Sequence, residues 1–283
     1  MKVFTSGENL NLEIDFLRAE SKSIGFVPTM GALHKGHLSL VNEGLSQNDI
    51  VVVSIFVNPT QFDKPDDLHK YPRTLDRDVA LLKTVSETRI FVYAPSVEDV
   101  YGSNPESQSF SFDGLEFEME GKFRSGHFDG VGTVVKKLLE IVKPNRAYFG
   151  EKDFQQLMII KKLVEMFKLP VEIVGCSIFR EPSGLAMSSR NERLKPQYRK
   201  EASFIYKTLK TAKEKFGTKS ANSVTEWVKT QFANNKWLEL EYFIIADVQT
   251  LKPMKRKSKK KKYRAFIAAY AEDIRLIDNI ALN

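Results

Sequence analysis

Through the first half of the chain, short β-branched or aromatic runs alternate with helix-spaced apolar positions. Residues 23–27 (SIGFV) and 50–57 (IVVVSIFV) lack polar alternation and are closed by turn signals, so they read as buried parallel strands. Between them Leu38, Leu40, Val41 and Leu45 form a helical stripe. Further strands are predicted at 90–93, 147–149 and 171–174, and helices at 75–84, 130–142 and 154–167. Strand and helix in alternation predict a Rossmann-like, doubly wound parallel sheet of the α/β class. After Cys176 the pattern changes. A breaker cluster at 181–184 precedes two charged helices, 197–216 and 223–234, and three strands, 240–245, 265–270 and 274–277. The expected division is a Rossmann-like α/β domain over 1–178 and a smaller C-terminal α+β domain over 179–283.

Charge changes the picture less than its total suggests. The 283 residues carry 43 Lys and Arg against 36 Asp and Glu, a net charge of +7. Between Lys255 and Lys262 seven of eight positions are basic, so this one run accounts for the whole excess. It falls between two predicted strands and reads as a solvated hairpin loop. Single-strand nucleic-acid binders interleave aromatics with basic residues; the run has none before Tyr263, so no nucleic-acid partner is expected. One cysteine, Cys176, excludes an internal disulfide and a thiolate zinc site. With no signal-peptide core near residue 1 and no long apolar run, a cytoplasmic protein without a membrane partner is expected.

The most informative segment is 28–38, PTMGALHKGHL, which directly follows the first predicted strand and opens the first predicted helix. In a doubly wound sheet such a turn binds phosphate, because helix N-terminal N–H groups and the dipole's positive end meet there. His34 and His37, three apart, share a helix face, and Gly36 leaves room for a ligand to approach the backbone. Two surface histidines are the plain alternative. A zinc pair is weaker, since no third ligand stands out.

The H-x-G-H string resembles the signature of the nucleotidyltransferase superfamily, and the longer string resembles the pantoate–β-alanine ligase family. Its other landmarks follow in order: 56–62 (FVNPTQF), 71–76 (YPRTLD), 126–128 (GHF) with 130–131 (GV), 149–157 (FGEKDFQQL), 187–191 (MSSRN) and 275–279 (RLIDN). The resemblance spans essentially the whole chain. It implies ATP-dependent condensation of (R)-pantoate with β-alanine through pantoyl adenylate, giving pantothenate, AMP and pyrophosphate.

By the same resemblance, ATP is bound by Met30, Gly31, Ala32, Leu33, His34, Lys35, Gly36 and His37. A second stretch contributes Gly150, Glu151, Lys152 and Asp153, and a third Phe179, Met187, Ser188, Ser189 and Arg190. His34, His37, Lys152 and Arg190 are the expected catalytic residues. Gln61 is implied for pantoate and β-alanine and Gln156 for pantoate, with Gln155 read as a surface glutamine. A primary amide suits a hydroxy acid because it donates and accepts at once. Arg124 and His127 are expected to line the site. Mg²⁺ is implied with ATP, its candidate ligands being Asp76 and Asp78. Arg77 stands where an acidic residue is common in the family, Ser125 where proline is usual, and Asp129 where a basic residue is frequent. A homodimer is implied by the family alone. Another H-x-G-H enzyme, adenylylating a phosphorylated alcohol, is the nearest alternative. The Gln61/Gln156 pair and the GEKD turn favour a carboxylate substrate.

Overall fold

The computed structural model describes residues 1–62, 68–69, 71–124 and 126–283. Chain contacts divide it into two compact units: 1–151 with 155–177, and 152–154 with 178–283.

The first unit is built on a six-stranded sheet, all of whose pairings are parallel. Its strands are β1 (Lys2–Phe4), β2 (Ile24–Thr29), β3 (Ile50–Ile55), β4 (Ile90–Tyr93), β5 (Arg146–Gly150) and β6 (Glu172–Cys176), in the order β1-β4-β3-β2-β5-β6. The chain runs outward from β2 through β3 and β4, then returns to place β5 on the other side of β2. That reversal is the switch point at which doubly wound sheets bind ligands, beyond the C-terminal ends of the strands. The expected fold class is therefore the observed one.

Periodicity explains the helices. In α1 (Gly7–Ala19) Leu10 and Ile14 are buried, and the Ser6 hydroxyl caps the start by accepting the Asn9 N–H. Further along are α2 (Lys35–Gln47), α3 (Leu75–Lys83), α4 (Val97–Tyr101), α5 (Glu120–Phe123), α6 (His127–Val142) and α7 (Phe154–Phe167). Val131, Val134, Val135, Leu138, Leu139 and Val142 give α6 an apolar stripe at spacings of three and four, all of it buried. Lys143 ends that helix in the left-handed region, just before Pro144. Cys176 is buried at the end of β6. Burial first, then the charges of Glu43 and Glu151, push its thiol up to about 11, so it is a packed thiol and not a nucleophile.

In the second unit β7 (Glu239–Asp247), β8 (Tyr263–Ala271) and β9 (Ile274–Ala281) form an antiparallel sheet in sequence order. Helices α8 (Pro196–Glu201), α9 (Ser203–Thr218) and α10 (Ala221–Ala233) supply the rest. Ile205, Leu209, Phe216, Val224, Val228 and Phe232 pack with Ile245, Ile267 and Leu276 into its core. The lysine run is the loop between β7 and β8, as expected. It is tied down by Lys257, whose Nζ donates to the Phe216 carbonyl at 2.7 Å, and by Lys261, 3.0 Å from Asp247.

Four departures from expectation have local causes. β1 and α1 go unread in the sequence, one for its brevity and the other because Leu12 and Phe16 point an apolar pair outward. The strand at 50–57 stops at Ile55, as Asn58 and Pro59 open a single 3-10 turn, Pro59–Gln61. The helix expected at 197–216 breaks into α8 and α9 at Ala202.

Candidate active site

In the first unit the segment after β2 is held from two sides. Gly31 has φ +82° and Ala32 φ +50°, a left-handed pair that turns two successive N–H groups the same way. The carboxylate of Asp78, on α3, accepts the Ala32 N–H at 2.9 Å and the Leu33 N–H at 2.7 Å, and the Thr74 hydroxyl donates to it at 3.3 Å. A Cβ at Gly31 would come within 3.1 Å of that same carboxylate, so side-chain bulk is disfavoured there twice over.

The histidines hold the other end. His34 is the N-cap of α2; its Nδ1 accepts the Gly36 N–H at 3.1 Å, while the His37 Nδ1 accepts the His34 N–H at 3.3 Å. The rings stack with centroids 4.1 Å apart. A neutral ring whose Nδ1 accepts carries its proton on Nε2, so the turn fixes the tautomer of each imidazole. The arrangement is a capping box made of histidines.

Asp76 and Asp78, the candidate Mg²⁺ ligands, stand in different surroundings. The two side chains diverge: Asp76 is exposed, whereas Asp78 is fully buried with its oxygens on backbone N–H groups. Two positions on a helix two residues apart face nearly opposite ways, and here one organises the turn. Among the described residues no cluster of three or more His, Cys, Asp or Glu is placed to hold a metal ion.

A second group gathers around Gln61. Its Nε2 donates to the Met30 sulfur at 2.7 Å, and its Oε1 accepts from Asn58 at 3.2 Å. Asn58, 1% exposed, also donates to the Gly130 carbonyl and accepts the Tyr101 hydroxyl at 2.7 Å. Burial raises the Tyr101 hydroxyl above its ordinary value, which keeps it protonated as that donor. Gly130 allows this approach: a Cβ there would lie 2.4 Å from the Thr60 carbonyl oxygen. His127 is buried, with its Nδ1 3.1 Å from the Gln61 carbonyl and its Nε2 2.9 Å from the Arg124 guanidinium. Arg124 and His127 therefore brace the Gln61 backbone. Asp129 accepts the Phe110 N–H at 2.9 Å, and Ser125 lies outside the described residues.

Gln156 sits half-buried in the first turn of α7. Its neighbour Gln155 is not a surface residue: it is 4% exposed, donates to the carbonyls of Leu115 and Glu118, and accepts the Glu120 N–H. Sequence reading missed it and Asn58. The available signals were Ile159, four residues on along the buried stripe of α7, and the Asn-Pro start of a 3-10 turn.

In the second unit Lys152, Ser188, Arg190, Arg275 and Asp278 line one cleft. Ser188 caps the 3-10 helix Ser189–Arg193 by accepting the Arg190 N–H, and Arg190 itself is exposed. Met187 donates its N–H to the Phe179 carbonyl across a small loop, with the Phe179 side chain 39% exposed. Lys152, only 16% exposed in its side chain, has its Nζ 3.9 Å from the exposed Asp153. Arg275 is paired with Glu241 at 2.6 Å, and Arg180 forks onto Asp278 at 2.6 and 2.9 Å. Burial pushes the Asp278 carboxyl up, opposed by the Arg180 fork.

A parallel sheet with a phosphate-type turn at its switch point, joined in one chain to a small antiparallel unit with a basic cleft, defines the α/β class of nucleotide-dependent enzymes. The particular family follows from direct comparison. Residues 2–281 match the model of the family described as pantoate-beta-alanine ligase. A protein named pantothenate synthetase from Christiangramia forsetii is 60% identical over 283 residues, covering 100% of both chains. The crystal structure of pantothenate synthetase from Thermus thermophilus superimposes with a TM-score of 0.88 at 38% identity, covering 100% of this chain and 99% of that one. That of the Francisella tularensis pantoate-beta-alanine ligase, complexed with beta-gamma ATP and beta-alanine, gives a TM-score of 0.80 at 36% identity, covering 100% and 98%. The chain belongs to the pantoate–β-alanine ligase family and is an enzyme of the ligase class. No helix among the described residues is long and apolar enough to cross a membrane.

Proposed function

We propose that this ligase works through an acyl adenylate. A pantoate carboxylate oxygen attacks the α-phosphorus of ATP, the bond to the bridging oxygen breaks, and pyrophosphate leaves. The β-alanine amine then attacks the acyl carbon, AMP departs with the former carboxylate oxygen, and the amine gives up a proton as the amide of pantothenate forms. Catalysis requires donors aimed at charge that develops on phosphate, and exclusion of water from the mixed anhydride.

The observation that carries this reading is the histidine capping box. With both Nδ1 atoms used by the turn, His34 and His37 stand together at a helix N-terminus, where an anion is favoured. Residues 30–37 are assigned to the nucleotide, Gln61 to pantoate and β-alanine, and Gln156 to pantoate. Lys152 and Arg190 supply charge to the phosphates, with Ser188 and Ser189 as hydroxyl donors and Gly150, Glu151, Asp153, Phe179 and Met187 as the surrounding contacts. The C-terminal unit takes the lid role. Mg²⁺ is assigned as the counter-ion that accompanies ATP, where it would neutralise charge on the phosphates. The working state is a homodimer in the cytoplasm. The test is product formation: pantoate, β-alanine and Mg·ATP should yield pantothenate and AMP one for one. ADP in place of AMP would refute the adenylate route.

A further inference from the structure

Lys152 follows β5 in the chain, yet its packing is with the C-terminal sheet. Arg264, Phe266 and Asn279 share one face of that sheet, since Phe266 pairs with Asn279 across β8 and β9. This face receives residues 152–154: the Arg264 guanidinium lies 4.1 Å from the Phe154 ring centroid, and the Phe266 and Phe154 rings are 5.9 Å apart. At its centre the Asn279 Nδ2 donates to the Lys152 carbonyl at 2.9 Å, while its Oδ1 accepts from Arg264. Asn279 is 2% exposed and Arg264 8%.

The two partners fix the amide's orientation. A guanidinium only donates and a carbonyl only accepts, so a side chain between them must accept at one end and donate at the other. An asparagine amide does both; a carboxylate of the same shape does not. The preceding residue, Asp278, lines the cleft that Lys152 also lines. One strand thus fixes the backbone of Lys152 and forms part of the wall along its side chain.

We infer that Asn279 is the positioning residue for Lys152, holding that lysine's backbone so that its ammonium group stays aimed at the phosphates. The inference rests on the catalytic assignment of Lys152. Asn279→Asp keeps the shape and the acceptor for Arg264 but removes the N–H that the Lys152 carbonyl requires. Asn279→Ser shortens the side chain so that it cannot span both partners, adds no charge, and serves if the aspartate disturbs folding.

The experiment is a double-mutant cycle on AMP release, run at high enzyme concentration, with kcat and each KM determined. Either Asn279 variant should lower kcat about 10- to 100-fold while the pantoate KM moves less than about threefold. In a Lys152→Ala background the same substitution should cost less than about threefold, because the group it positions is gone. Equal losses in both backgrounds, or a wild-type kcat in both Asn279 variants, would overturn the positioning role while leaving Lys152 in place. Wild-type kcat in Lys152→Ala alone would instead remove Lys152 from the mechanism, and the inference with it.

Discussion

Two segments leave neighbouring strands of the parallel sheet, and they are secured in opposite ways. The one after β2 is held within its own unit: two histidines cap their own helix, and one carboxylate 45 residues downstream takes two of its N–H groups. The one after β5 is held by an amide 127 residues away, on the last strand of the chain. In the first, the groups proposed to meet the nucleotide are also the structural ones, each imidazole using one nitrogen for each job. In the second the jobs are separate: Asn279 holds and Lys152 acts. In the first segment a substitution at one residue can therefore strike either job, depending on which ring nitrogen it replaces; in the second each job has its own residue.

The sharpest attack on this contrast is His37→Asn. Its Oδ1 reaches the position of Nδ1 and retains the cap, while the outer donor is lost. Turnover should fall about 10²- to 10³-fold, as for removal of a donor to a charged transition state. The melting temperature should stay close to that of the parent. His37→Gln, which keeps an outer donor and loses the cap, should instead destabilise by about 1 kcal/mol and retain more activity. Equal behaviour of the two variants in melting and steady-state assays would show that the nitrogens do not divide the labour.

Asp78→Asn is the next largest. The amide can accept only one of the two N–H groups and sets its own NH₂ against the other. A stability loss of about 2–4 kcal/mol, read by denaturant unfolding, is expected from an unmet buried donor and a lost charge-assisted bond. Turnover should fall about 10-fold through relaxation of the left-handed pair at Gly31 and Ala32. Stability unchanged from the parent would mean that the turn is self-supporting.

The smallest effect belongs to the lysine run. Replacing 255–262 with a short neutral loop should leave kcat within about twofold, since exposed charges act weakly through screening solvent. A loss of Lys257's contacts with Phe216 should show instead as a modest drop in melting temperature. A large loss of turnover would assign the run a part in the reaction.

What could be read in the sequence followed the range of the interactions. The buried strands announced themselves because parallel strands are apolar on both faces, and the 28–38 segment because its turn, its glycines and its helix start are contiguous. The hold of Asp78 on that turn went unread because a carboxylate in a helix's first turn looks the same whether it faces solvent or a distant backbone. Only the fold brings Ala32 and Leu33 to it. Gln155 and Gln156 differ in burial, yet identical side chains side by side gave no basis for the choice beyond the helical stripe. Asn279 stood inside a recognised string, but its duty depends on Arg264 and Lys152 arriving from two other elements.

The central claim is the pantoyl adenylate, and isotope exchange between labelled pyrophosphate and ATP tests it most directly. Exchange should require pantoate and proceed without β-alanine, because reversal of the first step alone carries the label into ATP. Exchange in the absence of pantoate, or none in its presence, would contradict the account.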